Sequence, residues 1–331
     1  MKDVARAAGV SPMTVSRVVS GEPGVSAERV ALVEQAVRRL GYRRDDNARR
    51  LRQKDVRSSI IGLVVDDLAN PFYALMARSV EDAARSRGYL VLVGSTNDEP
   101  RREREVIAAF CARRVDGLVL VPTSGGHGFL KREMDGGTKV VCVDRPAHGL
   151  AVDTVTVDNR AGAHRAVSHL LDLGHTRIGY LGDRLDIWTQ RERHAGYLEA
   201  LAARGIPEAP ELVRHGLRGR ADAAAAVAEL RAQVPRPTAL FTSNDLITLG
   251  ALDVPPVGKN EGTHGGCAIV GFDDVPLAER LDPPLSVVSQ DPAALGGTAA
   301  SLLFSRIDGD RAAPRSVVLL TRFIPRGSGA G

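Results

Sequence analysis

Residues 11–26 read SPMTVSRVVSGEPGVS, a Ser-Pro step, a short apolar run interrupted by an arginine, and a Gly-Pro-Gly close. Ser11 is suited to cap a helix, and Pro12 to its first position, where the missing N–H costs nothing. Val15, Val18 and Val19 recur at helical spacing, while Met13, Thr14, Ser16 and Arg17 fall on other faces. Gly21 supplies a stop. Upstream, Val4, Ala5 and Ala8 give one apolar face to a first helix ended by Gly9. Downstream, Ser26 opens a third helix, with Val30, Val33, Val37 and Leu40 as its apolar stripe and Gly41 as its end. Two short helices joined by a tight turn, with a third packed across them, make a helix-turn-helix unit. The valines hold the second helix in place, and its N-terminal residues are left for a DNA major groove. Arg17 suits a bidentate bond to guanine, Met13 a thymine methyl, and Ser11 and Thr14 phosphate oxygens. Taken singly, Ser11 reads as a cap and Arg17 as a solvated charge; the spacing of the set carries the DNA-binding reading.

Charge follows the same division. Residues 1–57 hold 13 Lys or Arg against 7 Asp or Glu, whereas the whole 331-residue chain is only +4. A basic head on a nearly neutral body is the footprint of a nucleic-acid-binding module joined to another function. The stretch 43–57, RRDDNARRLRQKDVR, reads as a basic linker in which Asp45, Asp46 or Asn47 can cap a short helix. No apolar run reaches the ~18 residues that a membrane span needs. The N-terminus shows no secretory signal, and three distant cysteines fit neither a disulfide framework nor a zinc site, so a cytoplasmic protein is expected.

From residue 60 the pattern becomes short apolar strands alternating with amphipathic helices. The strands IIGLVV, YLVLVGS, GLVLVP, KVVCVD and TVTVD form a first series, and IGYLG, ELVRH, TALFTSN and AIVGFDD a second. Helices are expected over 71–86, near 102–113, and over 160–173, 190–204 and 221–232. Such runs predict two doubly wound α/β subdomains with parallel sheets and a cleft between them. Ligands bind outside the carboxyl ends of such strands. Five strands run into polar pairs there: Asp66-Asp67, Asp144-Arg145, Asp158-Asn159, Asn244-Asp245 and Asp273-Asp274. One such ending is an ordinary cap or turn; five point to one site.

DVARAAGVSPMTVSRVVSG, followed by VS and LGY, resembles the DNA-binding head of the LacI family of bacterial transcription regulators. The body resembles that family's effector domain, of periplasmic-binding-protein type I, through ANPFY, VDRP, VDN, LGHTRIGYLG, RERHAGY, TSNDLITLG, VGFDD and VVSQD. The resemblance places Pro12, Met13 and Arg17 at base-reading positions. It makes ARRL a hinge helix whose Ala48 and Leu51 enter the minor groove, with Leu51 the wedge that opens a base step. It divides the chain into a head at 1–42, a hinge at 43–58 and an effector-binding and dimerisation body at 59–331. The body's subdomains are then 59–157 with 290–314, and 158–289 with 315–326.

The same resemblance lines one side of the cleft with Asp66, Asn70, Phe72, Tyr73 and Asp144. Trp188, Arg191, Arg193, Asn244 and Asp273 line the other, with Gln290 at the crossover. Arg193 and Asp273 together could grip vicinal hydroxyls, and Trp188 could offer a face to a sugar ring. Residues 253–267, DVPPVGKNEGTHGGC, depart from the family: Pro255-Pro256 breaks a helix that its members continue into the subunit interface.

A dimeric repressor on a palindromic operator, controlled by a small molecule, most simply a sugar, is the leading expectation. A solute-binding module with no transcriptional role is the alternative. An enzyme is disfavoured, because no GxGxxG after the first strand, Walker A loop, GxSxG elbow or histidine cluster is present. No cofactor or metal is expected.

Overall fold

The computed structural model describes residues 1–42, 57–254 and 266–329, and the chain divides into two compact units, Met1–Arg57 and Ser58–Gly331.

The first unit contains helices α1 (Lys2–Ala8), α2 (Pro12–Val19) and α3 (Ala27–Leu40). Gly9 ends α1 in the left-handed region at φ 64°, which frees the chain to turn into α2. The Thr14 N–H donates to the Ser11 side-chain oxygen at 3.1 Å, so the expected cap is formed. Val4, Ala5, Ala8, Val15, Val33 and Ala36 are the buried core. The α3 stripe is rotated from the expected one. Ala36 joins Val33 inside, Val30 and Val37 are half-buried, and Leu40 is exposed. A small alanine at the contact lets α3 approach its neighbours closely.

The second unit runs β1 (Ile60–Val65), α4 (Pro71–Ser86), β2 (Leu90–Ser95), α5 (Pro100–Ala112), β3 (Gly117–Leu120), α6 (Leu130–Asp135), β4 (Lys139–Val143) and β5 (Asp153–Val157). It continues through α7 (Asn159–Asp172), β6 (Ile178–Leu181), α8 (Trp188–Ala202), β7 (Val213–Arg214), α9 (Arg220–Arg231), β8 (Ala239–Thr242), α10 (Asp245–Leu252) and β9 (Ala268–Phe272). It ends with β10 (Ser286–Ser289), α11 (Pro292–Ile307), β11 (Ser316–Leu319) and β12 (Arg322–Ile324). Helix α10 stops at Leu252, just ahead of the two prolines; residues 255–265 lie outside the described residues.

Two six-stranded sheets result, ordered β11-β5-β4-β3-β1-β2 and β12-β10-β9-β8-β6-β7. Every pairing is parallel except β10 with β12. The central strands β3, β8 and β9 are buried at every residue, because helices cover both faces. Met76, Val80 and Ala84 of α4 and Leu295, Ala299 and Leu303 of α11 pack in one core with β1, β4 and β5.

One expected boundary is corrected. The segment 315–326 does not belong wholly to the second subdomain: Ser316–Leu319 pairs with β5 in the first sheet, and only Arg322–Ile324 joins the second. Asp153 explains the difference. Its carboxylate takes two 2.7 Å bonds from the Arg306 guanidinium and a third from the Arg315 backbone N–H, which fixes the end of α11 and the start of β11 beside β5.

Candidate functional site

Two surfaces carry the expected residues, one in each unit. In the head, Pro12, Met13 and Arg17 are exposed on α2, while Val15 is fully buried on the opposite side. Met13 is 74% exposed, too much for a residue with a packing role. Arg17 donates to the Pro23 carbonyl at 2.8 Å and lies 3.9 Å from Glu22, so its side chain also braces the turn that follows α2. Ser11 and Thr14 share a 2.9 Å hydroxyl contact at the helix start. Asn47, Ala48 and Leu51 lie outside the described residues.

In the body, the carboxyl ends of both sheets face a polar cavity of about 300 Å³. The two halves build it alike. Asp144 follows β4 and Asp273 follows β9, third from the outer edge of their respective sheets. Both have positive φ, 69° and 78°, and each N–H donates at 2.8 Å to the neighbouring strand, at Val155 and Val288. An L-residue in that backbone region is strained, and such strain collects at functional sites.

Arg145 is the hub of the first half. Its guanidinium donates to Asp66 at 3.0 Å and to Asp98 at 2.9 Å, and its Nε lies 3.3 Å from Asp144. The Tyr73 hydroxyl accepts from Arg145 at 3.3 Å and donates to Asp144 at 3.5 Å. Burial pushes the Asp144 carboxyl above its usual range, and Arg145 opposes the shift.

Arg193 is the hub of the second half. It donates to Asn159 Oδ1 at 2.7 Å and to the Ser243 carbonyl at 2.6 Å, lies 3.8 Å from Asp273, and stacks 3.7 Å from the Phe272 ring centroid. Helix α8 can deliver it there because Gly196 lets α8 approach α7: a Cβ at that glycine would lie 2.1 Å from the Arg160 carbonyl oxygen. Gln290 donates its amide N–H to Asp273, while its Oε1 is buried without a partner among the described residues. Burial pushes the Asp273 carboxyl up to about 6, against the pull of Arg193.

Asn70 serves two roles. Its Oδ1 accepts the Phe72 N–H at 2.8 Å as the cap of α4, and its amide donates across the cleft to Asp245 at 3.1 Å. The cap role of this residue therefore coexists with a place in the wall of the cleft.

Asp66, Asn70, Phe72, Tyr73, Asp144, Arg193, Asn244, Asp273 and Gln290 all line the cavity. Trp188 and Arg191 do not. They line an adjoining hollow with His148 and Pro146. The helical period gives the reason: three residues apart at the start of α8, they share one face, while Thr189, Gln190 and Arg193 present the next face to the cleft. The strand ending Asp158-Asn159 is also displaced. Asp158 accepts from the Thr321 N–H and from Arg165, which ties down the crossover into β12. Asn159 is buried beneath Arg193. Asp274 turns away to pair with Arg326 at 2.9 Å.

Sequence reasoning missed Asp98, Asp183, Arg184, Gln190 and Arg218 as cleft residues and did not assign Arg145 a site role, though VDRP put it at a strand end. Asp98 was legible only as part of the polar turn after β2.

A helix-turn-helix head followed by a two-lobed body with a ligand-sized cleft at its strand ends defines a DNA-binding transcription regulator. Residues 1–45 match the profile of bacterial regulatory proteins, lacI family, and residues 167–329 that of periplasmic binding protein-like domains. The chain is 33% identical over 313 residues to the HTH-type transcriptional regulator GalR of Escherichia coli K12, covering 93% of this chain and 89% of that protein. It is 30% identical to the HTH-type transcriptional repressor CytR of the same strain, covering 99% of this chain and 95% of that protein. The transcriptional regulator CelR in complex with cellobiose has the same fold at TM-score 0.71 and 30% identity, covering 99% of this chain and 98% of that one. The chain belongs to the lacI family of bacterial regulatory proteins.

Proposed function

We propose that the protein is a repressor that binds a palindromic operator as a homodimer in the cytoplasm and releases or tightens on it when a sugar occupies the cleft. The observation that carries this reading is the Arg193–Asp273 pair at the strand ends, a fork of donors beside an acceptor carboxylate, in a chain whose head exposes Met13 and Arg17. Vicinal hydroxyls donate and accept at once, so they suit such a pair. CelR, a relative of matching length, is seen with cellobiose, which supports a sugar. Sugar and DNA are coupled if each favours one of two cleft arrangements, since a ligand moves an equilibrium only by its differential affinity.

The test is fluorescence anisotropy of the purified protein on its own upstream DNA and on a scrambled duplex. The proposal expects a Kd of ~10⁻⁸ M or tighter on the first and binding orders of magnitude weaker on the second. Sugar binding with no preference between the duplexes would support the solute-binding module instead.

A further inference from the structure

The cleft holds seven aspartates, Asp66, Asp67, Asp98, Asp144, Asp183, Asp245 and Asp273, against four arginines, Arg145, Arg184, Arg193 and Arg218. Three of those arginines are committed. Arg145 is shared among Asp66, Asp98 and Asp144, and Arg193 among Asn159, the Ser243 carbonyl and Asp273. Arg184 bonds Asp98 and Asp186. Arg218 is exposed at the mouth, where its charge opposes the rise in the Asp183 pKa.

The capacity left inside is of both kinds, Arg145 Nε being buried without a hydrogen bond among the described residues, but the charge around it is weighted to acceptors. Gln290 Oε1 is buried and unpartnered among the described residues, and Asp245 receives one amide from Asn70 and one backbone N–H from Leu246. A ligand that donates hydrogen bonds completes these groups; one that brings further acceptors and negative charge leaves them bare.

From this imbalance we infer that the cleft selects an uncharged, hydroxyl-rich ligand, a non-phosphorylated and non-acidic sugar, and rejects the phosphorylated or carboxylated form of the same sugar. The inference rests on the sugar reading above and narrows it. A phosphate group adds about −1.5 to −2 charges. That charge would enter a site where burial already holds the carboxyls of Asp98, Asp144, Asp183, Asp245 and Asp273 above their ordinary range. Each interior guanidinium it would meet already faces at least one carboxylate: Arg145 those of Asp66, Asp98 and Asp144, Arg184 that of Asp98, and Arg193 that of Asp273. The adjoining hollow with Trp188 and Arg191 offers no remedy, because it opens beside the cleft and not into the Arg193–Asp273 pair.

The experiment is calorimetric titration of the full-length protein with common hexoses and pentoses, each run beside its phosphate ester and its sugar acid, with inorganic phosphate as a further probe. The expected result is at least one uncharged sugar that binds about tenfold or more tighter than both of its anionic counterparts. Inorganic phosphate is expected to give no heat of binding, and the affinity of the uncharged sugar to change by less than about twofold between low and high salt. A phosphorylated or acidic sugar that binds as tightly as its neutral parent, or more tightly, overturns the inference and leaves the sugar reading standing. A panel in which no sugar binds in either form overturns both.

Discussion

Arg184, in the loop after β6, donates to Asp98, in the loop after β2, so the two halves of the body are bonded directly across the cleft. Asn70 and Asp245 make a second bridge 3.1 Å long. These contacts can exist only while the halves are close together. They therefore weigh on whatever opening and closing couples the cleft to DNA.

Loss of the Arg184 bridge is expected to favour the open cleft, so that the sugar must supply more of the closing free energy. Arg184 is partly exposed, and a pair of this kind contributes on the order of 1 kcal/mol. Arg184→Ala should raise the half-saturating sugar concentration about fivefold with operator affinity in the absence of sugar changed less. Parallel sugar titrations of the two proteins check this; an unchanged midpoint would mean the bridge does not bias closure.

At the head, Arg17→Ala should cost ~1–3 kcal/mol on the preferred operator and relax the preference at one base pair. Because Arg17 also holds the Pro23 carbonyl, the melting temperature of the variant must be measured beside its binding. Equal losses on every duplex would make Arg17 a phosphate contact.

Asp273 gives the cleft a dependence on pH. Its carboxyl titrates at about 6 in the folded protein, so it is ionised at pH 7 and mostly protonated at pH 5. Only the ionised form accepts two hydroxyl bonds while facing Arg193. Sugar affinity should then fall about tenfold from its plateau by pH 5. Asp273→Asn should flatten this profile. The same raised pKa acts oppositely on folding: between the unfolded value near 4 and the folded value, this group's contribution to stability declines as pH rises.

Asp153 is the structural counterpart. Its carboxylate is fully buried between Arg306 and Arg315, which hold its pKa well below the usual carboxylate range. Its contribution to stability is present above the unfolded pKa and is lost as pH falls toward the folded one. Asp153→Ala leaves Arg306 without its buried partner and should destabilise the body by about 3–5 kcal/mol. Urea unfolding at neutral pH reads that loss; a difference within error would show that the crossover is held by packing alone.

The head was legible because its signals are local. Ser11, Pro12, Gly9 and the valine spacing fix caps, turns and faces within a few residues of one another. The body was legible as alternation, and four of the five polar strand endings do supply cleft residues. What failed was long-range or set by phase. Whether β11 joins the first sheet depends on Asp153, 162 residues from its Arg315 contact. Trp188 left the cleft because the helix starts at that residue, and the phase of a helix within one turn cannot be read from composition. Arg145 and Asp98 are held in place by one another across 47 residues; VDRP put Arg145 at a strand end, but its partner Asp98 carries no motif.

The most direct test of the coupling between cleft and operator is the operator affinity of the wild type and of Arg193→Lys, each measured by anisotropy with and without saturating amounts of the best-binding uncharged sugar. The lysine keeps one charge but loses the fork that reaches Asn159, Ser243 and Asp273 together. The account predicts that sugar changes wild-type affinity by about fivefold or more, the range of an ordinary allosteric coupling, and that the variant binds operator equally with and without it. A variant that keeps the full response, or a wild type whose operator affinity ignores the bound sugar, would contradict it.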